Sequence, residues 1–180
     1  MTGQPYSQDE IRDALGAMRV RAPAFFAALS PGEFTRGTAE RWSPAHHLHH
    51  LILSNKPVAY ALTLPQDRLP LRPGDLPSRE YMQVRDLYRE ALATGVRASG
   101  RYLPDPHGTQ DALVAEYSGT LELLEHNLLM YWTDAELDAH TLVHPVLGPL
   151  SVREMLFFTL YHNEHHLKGV QASLNRTENP

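Results

Sequence analysis

The chain has 180 residues, 42% of them hydrophobic and 21% charged, which is the composition of an ordinary folded protein and predicts one domain over residues 1–180. Sixteen basic and 21 acidic side chains leave a formal net charge of −5, which argues against a nucleic-acid interface built on phosphate contacts. The chain has no cysteine and no apolar run near the roughly 20 residues that span a bilayer, so we expect no disulfide, thiolate metal site, cysteine nucleophile or membrane helix.

The first predicted element is a helix that begins at Ser7. Residues 1–10 contain neither a basic nor an apolar targeting segment, so we expect a cytoplasmic protein without a secretory signal. Ser7 and Glu10 have the spacing of a capping box, and apolar side chains then recur every three or four residues. Pro23 interrupts this pattern and predicts a kink near Arg19 or a break in the helix.

A second helix is predicted from Ser43 to about Leu62. Ser43 provides the cap, Pro44 occupies the first helical position, and a bend is expected at Pro57. The stretch that follows, residues 65–77, contains four prolines and is predicted to be a loop.

Three further helices, and no strand, are predicted in the second half of the chain. Apolar spacing indicates an inserted helix over 79–97 and a long core helix over 110–132. A capping box at Ser151 and Glu154 starts the last helix, which should reach about residue 172.

The four long helices predict an all-α four-helix bundle, with the inserted helix in the crossover between bundle helices two and three. The two halves of the chain also share a weak sequence repeat. The first and third bundle helices are each followed by a serine or threonine three residues before a glutamate, and then by a histidine-bearing helix. The bundle is therefore consistent with two related helix pairs.

The most informative residues are the histidines, of which the chain has 11. His162 and His166 are about one helical turn apart on the apolar stripe of the last helix, so both imidazoles should point into the bundle. Buried imidazoles need partners for their nitrogens, and a metal ion would bind both. The alternative is a pair of core-edge histidines bonded to carbonyls or bridged by water.

A third ligand is expected from the second helix, which carries histidine at positions 46, 47, 49 and 50. On a helical wheel His47 lies nearest the apolar face, and His50 lies farther round. Periodicity alone does not choose between them.

Other metal and catalytic motifs are missing from the sequence. Asn163 occupies the position where a zincin has its general base. The chain has no Glu-x-x-His triplet, no G-x-S-x-G elbow and no P-loop lysine, which argues against di-iron, serine-hydrolase and nucleotide chemistry.

Two sequence blocks resemble DinB-like proteins, which are metal-binding four-helix bundles that include small-thiol S-transferases. The first block is W-S-P-A-H-H-L-H-H-L at residues 42–51. The second joins H-P-V-L-G-P-L-S-V-R-E-M-L at residues 144–156 to Y-H-N-E-H-H-L at residues 161–167. The resemblance covers most of the chain.

The resemblance implies a metal site with three imidazole ligands, His50, His162 and His166, and an open coordination position. The ligand from the second helix is the histidine before a leucine, eight residues after the tryptophan, which selects His50; His47 would compete with it or lie beside it. The ion would be divalent, zinc first, with nickel, manganese or iron as alternatives. A low-molecular-weight thiol such as bacillithiol or mycothiol would be the cosubstrate, because the chain has no thiol of its own.

As the resemblance implies, we predict a metal-dependent enzyme that acts on a small molecule by thiol S-transfer or hydrolysis. The resemblance also implies a role in stress response or detoxification and a homodimeric assembly. The alternative is a noncatalytic bundle that holds an ion or binds a partner. No catalytic residue besides the metal ligands is assigned, since surface or capping roles fit Glu154, Tyr161, Glu164 and His165. His144 is expected to fix a turn. Trp42 either plugs the bundle end, which aromatic burial favours, or forms a wall of the metal cleft.

Overall fold

A computed structural model describes residues 6–38 and 40–177 of the chain. Residues 1–5, on which part of the prediction of no secretory signal rests, lie outside the described residues. The described elements are α1 (Gln8–Ala28), α2 (Pro31–Thr35), α3 (Pro44–Ala61), α4 (Tyr81–Ala93), α5 (Gln110–Tyr131), α6 (Asp134–Ala139), β1 (Thr141–His144), β2 (Gly148–Ser151) and α7 (Val152–Thr177). Two 3-10 turns, Gln66–Arg68 and Gly100–Tyr102, lie in the connections on either side of α4. In this part of the chain, no helix is long and apolar enough to span a membrane.

The four long helices, α1, α3, α5 and α7, form a four-helix bundle, as predicted. α5 contacts α1 and α3, and α7 contacts the same two helices, which closes the ring. Fully buried apolar side chains from all four helices fill the centre, among them Leu15, Leu51, Leu124 and Phe157. α4 packs against α7, which confirms the added helix in the crossover between the second and third bundle helices.

Side-chain caps start the long helices where the sequence predicts them. Ser7 and Glu10 form the capping box of α1, and Ser43 caps α3. At the start of α7, the Glu154 amide donates to the Ser151 hydroxyl at 3.1 Å, and the Ser151 amide donates to the Glu154 carboxylate at 2.8 Å. Each cap satisfies amide groups that the first helical turn leaves without an internal partner.

α1 continues through Pro23, so the proline does not break the helix. Proline removes one amide donor and crowds the preceding turn. The flanking residues Ala22 and Phe26 are both fully buried in the bundle. Phe26 also makes an edge contact with Tyr117 of α5, with ring centroids 6.2 Å apart. Packing on both sides of the proline therefore holds the helix together.

Two helix ends differ from the predicted ones by a few residues. α4 ends at Ala93 instead of near residue 97, because Gly95 has a φ of +92° and turns the chain out of the helix. α7 continues to Thr177, five residues beyond the expected end near residue 172.

The weak repeat between the two halves of the sequence is visible in the structure. α1 and α5 are each followed by a short helix, α2 and α6 respectively, and both short helices open with a capping box. Each short helix precedes a long helix that carries histidines, α3 or α7. The bundle thus contains two helix pairs of similar local design.

A two-stranded antiparallel hairpin lies between α6 and α7, so the prediction of no strand was wrong. Strands of four residues are too short for an alternating pattern to stand out in a sequence. Gly148 supports the turn with a φ of +74°, a conformation that favours glycine. Nδ1 of His144 accepts hydrogen bonds from the amides of Val146 and Leu147 at 3.1 and 3.0 Å, which confirms that this histidine fixes the turn.

A buried polar network joins three of the bundle helices. Asn55 of α3 and Asn163 of α7 hydrogen bond to each other twice, at 2.9 and 3.2 Å. Asn55 also donates to the hydroxyl of Thr120, and the Tyr117 hydroxyl donates to the side-chain oxygen of Asn163. All four side chains are buried, so a shift in the register of α3, α5 or α7 would leave polar atoms unpaired.

The environment of His144 predicts a contribution to acid sensitivity. Burial lowers the pKa of His144 from 6.5 to about 4. Between these values the unfolded chain binds a proton that the folded chain does not, so stability falls as pH falls, by up to about 3 kcal/mol. In His144→Asn the amide oxygen replaces Nδ1 as an acceptor without titrating. We therefore expect this variant to lose about 2 kcal/mol less stability than the unmodified protein between about pH 7 and pH 4.5.

Chemical unfolding at the two pH values measures this difference. His126→Asn, at an exposed position of α5, is the matched control and should behave like the unmodified protein. An equal acid-induced loss in the His144 variant and the unmodified protein would contradict the role given to His144.

Candidate metal centre

Three buried histidines from two helices meet at one point. His50 of α3 and His162 and His166 of α7 each offer one ring nitrogen, and these atoms lie within 4.8 Å of one another. Nε2 of His162 is 3.2 Å from Nε2 of His50 and 3.1 Å from Nε2 of His166. The exposed fractions of the three residues, in chain order, are 6%, 2% and 8%. The structure brings together the three residues named by the sequence resemblance, and metal binding by them stays a prediction.

The spacing of these nitrogens fits a metal ion. Zinc binds histidine nitrogen at about 2.0 to 2.1 Å, so two nitrogens on one ion lie roughly 2.9 to 3.4 Å apart, depending on their angle at the ion. The observed separations of 3.1 and 3.2 Å fall in this range. Unprotonated imidazole nitrogens that face each other at this distance repel, and a cation between them would remove the repulsion.

Helix geometry explains why the three side chains converge. His162 and His166 are four residues apart and share one face of α7. α3 packs against α7, and His50 lies in the second turn of α3, on the side toward α7. The amide pair of Asn55 and Asn163 holds the same two helices in register, one residue after His162.

Contacts to the other ring nitrogens orient two of the imidazoles. Nδ1 of His50 lies 2.8 Å from the carbonyl oxygen of Tyr102 and donates its proton there, which leaves Nε2 with a free lone pair. Nδ1 of His166 lies 2.8 Å from Nδ1 of His47. Nδ1 of His162 is buried without a hydrogen-bond partner among the described residues. The contact of His50 with a backbone carbonyl is typical of histidines that bind metal ions.

Burial keeps the three histidines neutral. It lowers the pKa of His162 and of His166 well below 6.5, and neighbouring histidines shift both values in the same direction. The pKa of His50 is also lowered, mainly by burial. Neutral imidazole is the form that binds a metal ion, so the group has the protonation state that a cation requires at neutral pH.

His47 lies beside the group and not in it. The helical wheel ranked His47 closer to the apolar face than His50, whereas in the structure His50 is the more buried residue and faces His162. Burial lowers the pKa of His47 to about 4, so it too is neutral at physiological pH. One of the two Nδ1 atoms in the contact between His47 and His166 must therefore donate and the other accept.

Other polar residues near the site in sequence have separate partners: His46 bonds to the Ser43 hydroxyl, His49 to the Asp105 amide, Glu154 to the start of α7, and Glu164 to Arg21 and Lys168. The capping and surface roles expected for the two glutamates are therefore confirmed. None of these residues adds a ligand atom to the group of three histidines.

Trp42 forms a wall of the site, which is the second of the two roles expected for it and not the favoured role of plugging the bundle end. The side chain is half-buried, and its ring stacks on His166 with 6.1 Å between centroids and 18° between planes. Its ring centroid also lies 5.5 Å from that of His47 and 5.1 Å from that of His50. Trp42 immediately precedes the cap of α3, and no periodic pattern shows to which side such a residue turns.

The histidine group lines a cavity of about 870 Å³, which is within the range of small-molecule sites. Residues of α3, α4, α7, the β1–β2 hairpin and the segment between α4 and α5 supply its walls. Tyr88 of α4 lies there, 5.8 Å from His162 between ring centroids. Burial raises the pKa of Tyr88 to about 12, so its hydroxyl is a donor at neutral pH. Apolar spacing predicted the helix that carries Tyr88, and no motif marked this residue as part of a cavity.

The fold and the histidine group define a four-helix bundle with a buried site suited to a metal ion. The sequence matches the DinB superfamily over residues 14–169, and the chain therefore belongs to that superfamily. The crystal structure of TT2238, a four-helix bundle protein, is similar with a TM-score of 0.59 over 92% of this chain and 99% of that chain, at 20% sequence identity. No curated protein matches the sequence.

Trp42 provides an optical test of the histidine group. The chain has two tryptophans, and the other, Trp132, donates through Nε1 to the carbonyl of Leu62. Leu62 is twelve residues after His50, about 18 Å along a helix. One equivalent of Ni²⁺, which quenches nearby indoles, should therefore remove most of the emission of Trp132→Phe and little of the emission of Trp42→Phe.

Fluorescence titration of the two variants makes this measurement, and excess chelator should restore the emission. Equal quenching in both variants would place the bound ion away from the three histidines.

Proposed function

We propose that the protein is a divalent-metal-dependent enzyme that acts on a small molecule, with His50, His162 and His166 as the metal ligands. The convergence of three buried, neutral imidazoles at a cavity of about 870 Å³ carries this proposal. Membership of the DinB superfamily supports it. Three protein ligands beside an open space leave room for a substrate atom, which is the arrangement of catalytic metal sites.

Zinc is the proposed ion, with nickel, manganese or iron as alternatives, because imidazole suits several of these metals. His50, His162 and His166 are neutral ligands and would leave the ion its full charge, which would lower the pKa of a thiol or water and so supply a nucleophile near neutral pH. Since the chain has no cysteine, the thiol of an S-transfer reaction would come from a low-molecular-weight cosubstrate, and hydrolysis is the other proposed reaction. A role in stress response and a homodimeric assembly remain proposals that rest on the family resemblance alone.

The aromatic residues around the ligands have two roles in this proposal. Trp42 and Phe158 stack on the rings of His166 and His162, with 18° and 20° between planes, and keep water from the imidazole faces. The hydroxyl of Tyr88 is protonated at neutral pH and is available to donate a hydrogen bond to a substrate atom in the cavity. In this proposal Tyr88, on the α4 side of the cavity, orients the substrate.

A noncatalytic bundle that holds a structural or stored ion is the second candidate. Structural zinc sites are closed and have four protein ligands. Among the described residues the group contains three histidines and lines a cavity, so these observations favour the enzyme.

Loss of one ligand should release the ion and leave the bundle folded. Protein purified without chelator should carry about one Zn²⁺ or similar ion per chain, as measured by elemental analysis. His162→Ala and His166→Ala should each lose most of the metal, while circular dichroism stays helical because the apolar core is unchanged. His126→Ala, at an exposed position of α5 outside the cavity lining, is the control and should keep the ion.

Full occupancy in either ligand variant would refute the ligand assignment. The absence of metal from unmodified protein purified under metal-replete conditions would refute it as well.

The contact between His47 and His166 predicts a weaker metal site when His47 is removed. Loss of the outer partner of a ligating histidine commonly costs about 10- to 100-fold in metal affinity, and we expect this effect in His47→Ala. In His47→Asn the amide oxygen lies near the position of Nδ1 and should restore part of the affinity. Competition with a chromogenic chelator measures the zinc affinity.

His46→Ala is the control, because the His46 ring bonds to Ser43 and not to the group. If His47→Ala binds zinc as tightly as the unmodified protein, His47 does not position His166.

A further inference from the structure

The cavity beside the histidine group carries an excess of positive side chains outside that group. Arg41, Arg97 and Arg101 line it, against one acidic residue, Glu40. Arg41 lies before α3, and the other two lie in the segment between α4 and α5. All three arginines are exposed, and none forms an ion pair with a carboxylate in the described ranges 6–38 and 40–177.

The arginines of α1 show the contrast. Arg12, Arg19 and Arg21 each form an ion pair with at least one acidic side chain. The cavity arginines lack such pairing, as do Arg36, Arg68, Arg72 and Arg89 among the described residues. Their shared position in the lining of one cavity is therefore what sets Arg41, Arg97 and Arg101 apart. A group of like charges without counterions attracts an anion.

Neighbouring contacts hold two cavity arginines without neutralising them. Arg97 donates to the carbonyl of Val96 at 2.8 Å. Arg101 donates to the Tyr102 hydroxyl at 2.9 Å, and its guanidinium carbon lies 5.0 Å from the centroid of the same ring. Because a guanidinium has five N–H donors, most of them remain for a ligand, and their fork geometry matches carboxylate and phosphate oxygens.

The segment that carries Arg101 is also tied to the histidine group. The turn Gly100–Tyr102 packs on α3, and the Tyr102 carbonyl accepts the bond from Nδ1 of His50 at 2.8 Å. Arg101 is therefore one residue away from a contact to a proposed metal ligand. The cavity walls also include the apolar side chains Leu92, Val96, Met155 and Phe158.

We propose that this cavity binds a small amphiphilic organic anion, with its carboxylate or phosphate on Arg97 and Arg101 and its apolar body along the walls. That this anion is the substrate of the metal centre rests on the proposed function; the anion site itself does not. The charged head would be selected by charge-assisted hydrogen bonds, and the body by burial of apolar surface. A neutral molecule of the same shape would leave the guanidinium groups unmatched.

Calorimetric titration of the metal-loaded full chain with phenylbutyrate, phenyl phosphate and the neutral phenylbutyramide tests the proposal. At least one anion should bind about tenfold more tightly than the amide, and this preference should weaken with added salt. Arg97→Gln and Arg101→Gln should each weaken anion binding by roughly 3- to 10-fold and leave amide binding unchanged. Arg68→Gln, which removes an exposed arginine outside the cavity lining, is the matched control. Whichever of phenylbutyrate and phenyl phosphate binds with the higher affinity identifies the preferred head group as carboxylate or phosphate.

Equal affinity for the anions and the amide, or no binding of either anion, would overturn the proposal. So would anion binding at full strength in the double variant Arg97→Gln/Arg101→Gln. The same titrations in His162→Ala separate this proposal from the metal assignment. Arginine-dependent anion binding in that variant supports the anion site whether or not metal is bound. Anion binding that is lost in His162→Ala but unchanged in the arginine variants would place the anion on the ion and overturn the proposal, while the metal assignment stands.

Discussion

The site depends on the burial of three neutral imidazoles whose Nε2 atoms face one another between α3 and α7. A second proton on any of these rings inside the bundle is costly, so each ring has one unprotonated nitrogen available to a ligand. A cation at their centre would satisfy all three at once. The outer contacts agree with this interpretation, since His50 gives its Nδ1 proton to a carbonyl and His166 bonds to His47.

The bundle holds the two helices in place by a second polar contact next to the site. Asn55 and Asn163 bond to each other, and Tyr117 and Thr120 of α5 complete their hydrogen bonds. Apolar packing alone tolerates small sliding movements of helices, whereas paired amides in a buried place do not. The position of His162 relative to His50 is therefore set by a network that contains no metal ligand.

Periodicity and caps were sufficient to predict the bundle, because long amphipathic helices repeat their signal over many turns. The hairpin was missed because each strand has four residues and pairs only with its neighbour. The pair His162 and His166 in the last helix could be predicted from their spacing on one helical face. The choice of His50 came from the family resemblance, because a helical wheel describes one helix and not the helix against which it packs. Trp42 and Tyr88 meet the histidines through long-range packing that no local pattern contains.

The contact between the crossover and His50 is made by the main-chain carbonyl of Tyr102, and not by a side chain. Every amino acid has that carbonyl, so substitutions at residue 102 and its neighbours can accumulate as long as the turn keeps its backbone path. The crossover can therefore diverge in evolution while the imidazole that it steadies stays in place.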